Sequence, residues 1–194
     1  MDQIIRTFIA IPLPDTIKNN IESIQKSLKK QKINARWVLP ESIHLTLKFL
    51  GHIHQEKLPL VNDILTTCGD NCTEFSLQLK GIGVFPNYQR PRIIWLGLTG
   101  DLTILKDLQL RIEQTIEEQL GIPQENRPFK PHITIGRIKD HGKHASFIST
   151  ISSFESFSTE CFVCNELILF QSTLNPKGAV YTPLQIKSFQ AIQA

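Results

Sequence analysis

The sequence predicts an α+β fold built from two similar lobes. Three observations support this prediction: apolar spacing switches repeatedly between strand and helix periods, the order strand-helix-strand-helix-strand occurs twice, and no low-complexity linker divides the chain. We therefore expect one two-lobed domain over residues 1–194, with two antiparallel sheets around a central groove and helices on the outside. A pseudo-twofold axis would relate the two β-α-β-α-β units.

The first unit begins with an apolar strand that leads into an amphipathic helix. Pro14-Asp15 is typical of a helix start, and the apolar residues after it have helical spacing. A loop with Trp37 and Pro40 then leads to a second strand that Gly51 closes. The predicted elements are strands at 8–13, 44–50 and 75–84, and helices from 14 onward and over 58–67.

The second unit repeats this order. Asp101 opens a long helix with apolar residues on one side, and Gly121 ends it, as glycine commonly does at helix C-termini. A loop with Pro128 and Pro131 precedes the next strand. The predicted elements are strands at 93–99, 132–138 and 162–171, helices over 101–120 and 146–153, and a closing strand over 179–189.

Composition and charge exclude several classes of protein. Lys and Arg number 21 against 18 Asp and Glu, so the net charge of +3 permits a basic groove but does not indicate a protein that coats nucleic acid. No apolar run approaches the roughly 20 residues of a membrane span, and the N-terminus lacks the pattern of a signal peptide. We expect a cytoplasmic monomer without membrane association.

The four cysteines form two closely spaced pairs, Cys68 with Cys72 and Cys161 with Cys164. Without a signal peptide, reduced thiols are the default state. A structural zinc ion is the alternative if the fold brought both pairs together, but the glycine-rich pattern of zinc knuckles is missing. We expect ordinary thiols and no metal.

One polar signature occurs at the same place in both units: His44-Leu-Thr46-Leu and His132-Ile-Thr134-Ile. Because residues i and i+2 of a strand share a face, each histidine points with its threonine away from the apolar pair. A single His-x-Thr is more often a surface pair. Two copies at equivalent places predict two His-Thr pairs that face each other across one groove.

Two opposed histidines suit acid-base chemistry at phosphorus. A neutral imidazole takes a proton from a nucleophile, and an imidazolium gives one to a leaving group. Threonine hydroxyls donate hydrogen bonds to phosphate oxygens. An acid and a base on opposite sides of phosphorus fit an in-line displacement. A cyclic phosphodiester suits this arrangement, because the attacking oxygen and its own leaving oxygen are then held in line without a metal.

These motifs resemble the two-histidine phosphoesterase superfamily, and within it the bacterial and archaeal RNA 2',3'-cyclic phosphodiesterase family, historically called 2'-5' RNA ligases. The resemblance spans nearly the whole chain in the family's order. It rests on these segments: RTFIAIPLP at 6–14, RWVLPESIHLTLKFLG at 36–51, GIGVFPNYQRPRIIWLGL at 81–98, RPFKPHITIGR at 127–137 and LILFQSTLNPKGAVYTPL at 167–184.

The resemblance implies a role for each site residue. His44 would be the general acid that protonates the departing 3' oxygen, and His132 the general base that activates water. Thr46 and Thr134 would hold the phosphate, and Arg137 would neutralise its developing charge. The product would be a 2'-phosphomonoester at an RNA 3' end, without a cofactor or metal, and reversal with a 5'-hydroxyl would give a 2'-5' linkage.

Arg137 poses a question of geometry. Strict alternation places it on the face opposite His132 and Thr134, unless a bulge at Gly136 turns it back toward the groove. Without such a bulge, Arg137 is a surface arginine.

Secondary candidates follow from the same alternation. Lys48 is predicted on the face of Thr46, either at the groove mouth or simply solvated, and Phe49 on the core face. Trp37 and Trp95 are predicted in the core. The basic loop at 86–92 is either an RNA contact with a stacking tyrosine or an ordinary hairpin loop.

Two other functions remain open. The same superfamily includes enzymes that act on ADP-ribose cyclic phosphate, trim RNA 3' ends or open small cyclic nucleotides. An RNA-end-binding module with little turnover belongs to a different class, although both histidines and both threonines are present.

Overall fold

The computed structural model describes residues 3–139, 144–175 and 178–191. Every predicted helix and most predicted strands are present. The helices are α1 (Asp15–Lys30), α2 (Leu58–Asp70), α3 (Leu102–Leu120) and α4 (His144–Ser152). The strands are β1 (Ile4–Pro12), β2 (Ala35–Trp37), β3 (His44–His54), β4 (Phe75–Phe85), β5 (Ile93–Gly100), β6 (His132–Ile138), β7 (Phe162–Cys164), β8 (Glu166–Asn175) and β9 (Gly178–Ser188).

The strands form two antiparallel sheets, which confirms the predicted fold class. The first sheet has the order β3-β1-β8-β9, and the second has the order β2-β6-β5-β4-β7. Strands β3 and β6, which carry the two His-x-Thr motifs, lie in different sheets but contact each other. The two strands that carry the motifs therefore meet at the junction of the sheets.

The sheets do not coincide with the two sequence units, because each unit gives its third strand to the other sheet. Strand β4 pairs with β5, and β8 pairs with β1. The predicted single strand over 162–171 was wrong: it divides at Asn165 into β7 in the second sheet and β8 in the first. This division lets the second unit contribute to both sheets.

Strand boundaries also differ from the predictions, since β1 begins at Ile4 and β8 runs to Asn175. Strand β3 continues through Gly51, whose φ of 73° suits glycine, and ends at His54. The loop around Trp37 includes β2, which pairs with β6 at the edge of the second sheet. The pairing of β2 is decided by a strand distant in sequence, so local patterning did not reveal it.

The helices cover the apolar faces of the sheets, as their spacing predicted. The apolar stripes of α1 and α3 are buried in one hydrophobic cluster together with the inward residues of both sheets. Gly121 ends α3 in a left-handed conformation with φ of 67°. Within the described ranges, no helix is long and apolar enough to cross a membrane.

The cysteines do not share one environment. Cys68, Cys72 and Cys164 are buried, whereas Cys161 is exposed. Burial raises the pKa of the Cys164 thiol to about 12 and raises the pKa of Cys68 and Cys72 as well. Among the residues described, no three His, Cys, Asp or Glu side chains are grouped as metal ligands.

Candidate active site

His44 is the first residue of β3 and lies in an aromatic cluster. Its ring stacks on Phe8 with centroids 4.7 Å apart, and Tyr181 presents an edge at 5.1 Å. Its Nδ1 is 2.9 Å from the carbonyl oxygen of Ser42. Burial lowers the pKa of His44 to about 4, against the smaller raising effect of the Ser42 carbonyl, so the ring is neutral at pH 7.

His132 occupies the equivalent place at the start of β6. Its Nδ1 is 2.7 Å from the carbonyl oxygen of Lys130, and Phe85 meets its ring edge to face with centroids 5.0 Å apart. Each histidine thus contacts the carbonyl two residues before it. The second sheet surrounds its histidine with fewer aromatic rings than the first.

These contacts determine the tautomer of both rings. A carbonyl oxygen only accepts hydrogen bonds, so Nδ1 must carry a proton and donate it. In the neutral ring, Nε2 then has the free lone pair, and in the charged ring it has the transferable proton. Both histidines therefore present Nε2 for proton transfer.

The threonines share a face with their histidines, as predicted. Along β1, Pro12 and Ala10 pair with His44 and Thr46. Along β5, Gly97 and Trp95 pair with His132 and Thr134. Both threonines are half-buried on the side of the sheet opposite the apolar residues of the motif.

One residue after each threonine, the strand bulges. Leu47 has no partner in the register between β1 and β3, because Ala10 pairs with Thr46 and Ile9 with Lys48. In the register between β5 and β6, Trp95 pairs with Thr134 and Ile94 pairs with Gly136. Ile135 therefore has no partner on β5 either. The bulge recurs at the same motif position in both sheets and reverses the alternation beyond it.

The bulge in β6 answers the question posed by Arg137. Gly97, Trp95 and Ile93 alternate along β5 and pair with His132, Thr134 and Arg137. Arg137 therefore lies on the same face as the histidine and threonine, and its side chain is exposed. The extra residue is Ile135, next to the Gly136 where the bulge was expected.

The bulge in β3 overturns the predictions for two other residues. Lys48 is only 2% exposed, with Nζ 2.5 Å from Glu113 Oε2 and 2.7 Å from the carbonyl oxygen of Pro123. Phe49 is 50% exposed on the face of His44, with its ring 5.9 Å from that of Phe8. Alternation without a bulge assigns both side chains to the wrong face.

Two buried glutamines hold the carbonyls of the bulged residues, and sequence reasoning missed both. Gln25 of α1 donates from Nε2 to the carbonyl oxygens of Ile135 and Val38, at 2.8 Å each. Gln109 of α3 donates from Nε2 to the carbonyl oxygen of Leu47 at 3.4 Å. Each glutamine lies four residues after an apolar residue of the buried stripe of its helix. A polar residue on a buried stripe is the sequence signal that could have revealed these two contacts.

The other aromatic candidates have separate locations. Trp37 packs against the hydrophobic core, as predicted. Trp95 instead lies on the groove face, with its ring 5.1 Å from Phe85. In the basic loop, Tyr88 packs against the core, whereas Arg90 and Arg92 are exposed.

Comparison with known proteins gives matches along most of the chain. A family model described as LigT like phosphoesterase matches residues 11–95 and 105–181. A protein of Archaeoglobus fulgidus named RNA 2',3'-cyclic phosphodiesterase is 32% identical over 186 residues, which cover 93% of this chain and 98% of that protein. One of the same name from Methanothermobacter thermautotrophicus is 29% identical, with 94% of this chain and 97% of that protein covered.

Solved structures give the same result for the fold. The crystal structure of TT0787 of Thermus thermophilus superposes with a TM-score of 0.81 at 28% identity, and covers 97% of this chain and 100% of that one. Escherichia coli LigT complexed with 3'-AMP gives a TM-score of 0.75 at 25% identity, with 96% and 99% covered. The two-sheet arrangement is thus shared with both.

Proposed function

The chain belongs to the LigT-like phosphoesterase family, and on that premise we propose that it hydrolyses terminal 2',3'-cyclic phosphates on RNA to 2'-phosphomonoesters. The observation that carries the proposal is the duplicated His-x-Thr-bulge unit on β3 and β6, with the same histidine tautomer in both copies. The name of the relatives, RNA 2',3'-cyclic phosphodiesterase, supports an RNA cyclic phosphate as the substrate.

The two histidines act as a coupled acid and base. His132 Nε2 takes a proton from water, whose oxygen forms the new bond to phosphorus. The bond from phosphorus to the 3' oxygen breaks, and His44 Nε2 gives that oxygen a proton. The 2' oxygen keeps the phosphate, and one proton passes from water to the protein while another passes to the sugar.

His44 must acquire a proton before it can act as the acid. Its ring is neutral at pH 7 in the free protein because burial lowers its pKa. An anionic phosphodiester beside Nε2 stabilises the imidazolium and raises that pKa. We therefore expect His44 to take up a proton as the substrate binds.

Thr46, Thr134 and Arg137 hold the phosphate. The hydroxyls donate hydrogen bonds to the non-bridging oxygens, one from each sheet. The Arg137 guanidinium lies on the same face and offers a planar pair of donors that matches a phosphate and stabilises the extra charge of the transition state.

Water is replaceable in this scheme. If a 5'-hydroxyl of a second RNA occupies its place, the same proton transfers in the same direction form a 2'-5' linkage, and their reversal cleaves that linkage and closes the cyclic phosphate. No step requires a metal, because the charges of the imidazolium and the guanidinium supply the electrostatic stabilisation.

The proposal treats residues 1–194 as one two-lobed domain that acts as a monomer. The exchange of β4 and β8 supports a single domain, because neither sequence unit completes a sheet without a strand of the other.

A product analysis tests the function. The protein is incubated in EDTA with a short RNA that ends in a 2',3'-cyclic phosphate, and the RNA end is identified. We expect a 2'-phosphate, and no product from His132→Ala. A 3'-phosphate contradicts the assigned chemistry. Bound RNA without product indicates a binding module, and neither binding nor product directs the search to ADP-ribose cyclic phosphate and small cyclic nucleotides.

A further inference from the structure

Two arginines lie side by side on the groove face of the second sheet. In the register between β2 and β6, Arg36 pairs with Arg137, and Trp37 with Gly136. Residues directly opposite each other on antiparallel strands share a face and have Cβ atoms about 5 Å apart. Both arginines are exposed.

The orientation of Arg36 follows from its neighbour. Trp37 packs against the core, and a Cβ atom added to Gly136 would meet the Trp37 ring at 3.1 Å. Trp37 and Gly136 therefore occupy the helix-covered face. Arg36, between Ala35 and Trp37, points to the opposite face, which is the face of His132, Thr134 and Arg137.

No acidic side chain balances this pair within the described parts of the chain. The ion pairs found there join lysines to Asp15, Glu22, Glu113 and Asp70, and neither arginine takes part in one. Like charges directly opposite on a sheet disfavour the pairing. An anion between or above the two guanidiniums removes that repulsion.

An RNA end has two anionic groups at its last nucleotide: the cyclic phosphate, and the phosphodiester on the 5' side of the same sugar. Arg137 is assigned to the cyclic phosphate by the proposed function, on which this inference rests. We propose that Arg36 binds the 5'-side phosphodiester and so makes the protein prefer RNA ends to cyclic mononucleotides.

An arginine on the first sheet offers an alternative contact for the RNA. Arg6 pairs with His52 there, and both line a cavity of about 300 Å³. The Arg36 route is favoured because it is continuous with Arg137. A variant at Arg6 distinguishes the two routes.

The test compares three substrates: a 5'-hydroxyl nucleoside 2',3'-cyclic phosphate, the same compound with a 5'-phosphate, and a trinucleotide with a cyclic end. For Arg36→Gln we expect kcat/KM to fall about 10-fold or more for the last two and to stay unchanged for the first. The salt dependence of trinucleotide binding should weaken by about 0.7 in the log-log slope, as one phosphate contact is lost. Because a like-charge pair is removed, Tm should stay the same or rise.

Lys30→Gln, at an exposed position in the last turn of α1, is the control. It should change neither kcat/KM for the three substrates nor the salt dependence of trinucleotide binding. An equal loss on all three substrates, or no loss on any, overturns the proposal. A selective loss in Arg6→Gln but not in Arg36→Gln assigns the RNA to the first sheet instead. If the wild-type protein hydrolyses none of the three, the proposed function fails, and an unchanged binding slope in Arg36→Gln then overturns the Arg36 contact separately.

Discussion

The side-chain amide of Gln25 on α1 donates a 2.8 Å hydrogen bond to the backbone carbonyl of Ile135, the extra residue in the bulge of β6. Gln109 on α3 makes the corresponding contact with Leu47 in β3. Helix α1 follows β1 of the first sheet and supports a bulge in the second sheet. Helix α3 follows β5 of the second sheet and supports a bulge in the first sheet. The bulges that orient Arg137 and Phe49 are therefore held by helices from the opposite sheet.

Replacement of Gln25 should disturb both stability and catalysis. Gln25→Met keeps the shape of the side chain but removes the donor. The Val38 carbonyl then loses its bond to the amide, while the Ile135 carbonyl keeps the hydrogen bond from the Val38 N–H, so we expect a cost of about 1–3 kcal/mol. Because the bulge places Arg137, we also expect kcat to fall more than KM rises. Urea unfolding and steady-state kinetics measure the two effects, and Gln114→Met, exposed on α3, is the control. Full activity at wild-type stability in Gln25→Met would show that the bulge does not need this contact.

The buried pair of Lys48 and Glu113 should show strong non-additivity. Lys48→Met leaves a buried carboxylate without its cation and should cost about 3–5 kcal/mol of unfolding free energy. The double variant with Glu113→Leu should regain most of that loss, since no charge is then left unpaired. A denaturant-based double-mutant cycle measures this coupling. If Lys48→Met is as stable as the wild-type protein, Lys48 is not buried against Glu113 but lies at the groove mouth or in solvent, the two positions that alternation alone allowed.

His44 should make stability depend on pH. Its pKa is about 4 in the folded protein and 6.5 without the fold, so the unfolded chain binds more protons between these values. The contribution of the neutral His44 to the free energy of unfolding is fully present above pH 6.5. It is lost as pH falls toward 4, by about 3 kcal/mol in total. Unfolding at pH 7 and at pH 4.5, compared between the wild-type protein and His44→Gln, isolates it. Equal pH dependence in the two proteins would mean that burial does not suppress the charge on His44.

The pH-rate profile should be bell-shaped, because one histidine must be charged and the other neutral. In kcat/KM, which reports the free protein, we expect the acidic limb near pH 4, from the lowered pKa of His44. The acidic limb stays at this pH whichever histidine is the acid. The active form of the histidine pair has one proton in total in either case. An acidic limb well above pH 5 would contradict the burial of His44.

A sulfur substrate assigns the two roles. If sulfur replaces the 3' oxygen of the cyclic phosphate, the leaving thiolate needs no general acid, because its pKa is far below that of an alcohol. His44→Ala should then regain activity on this substrate, and His132→Ala should not. Rescue of His132→Ala alone would reverse the assignment.

The sequence by itself determined the helices, most of the strands and the side-chain directions within each His-x-Thr motif. Apolar spacing gave the helices and most strands, and period-two alternation placed each threonine beside its histidine, because side-chain direction over three residues of a strand is a local property. The duplicated motif by itself indicates a two-histidine phosphoesterase.

The tertiary structure decided the side-chain directions beyond the two bulges. A bulge depends on which residue of the neighbouring strand accepts or donates each hydrogen bond, and no local pattern encodes that register. The burial of Lys48, the exposure of Phe49, the exchange of β4 and β8, and the pairing of Arg36 with Arg137 all depend on contacts between segments distant in the chain. Such contacts are chosen by the packing of the whole core, so they become visible only when the chain has folded.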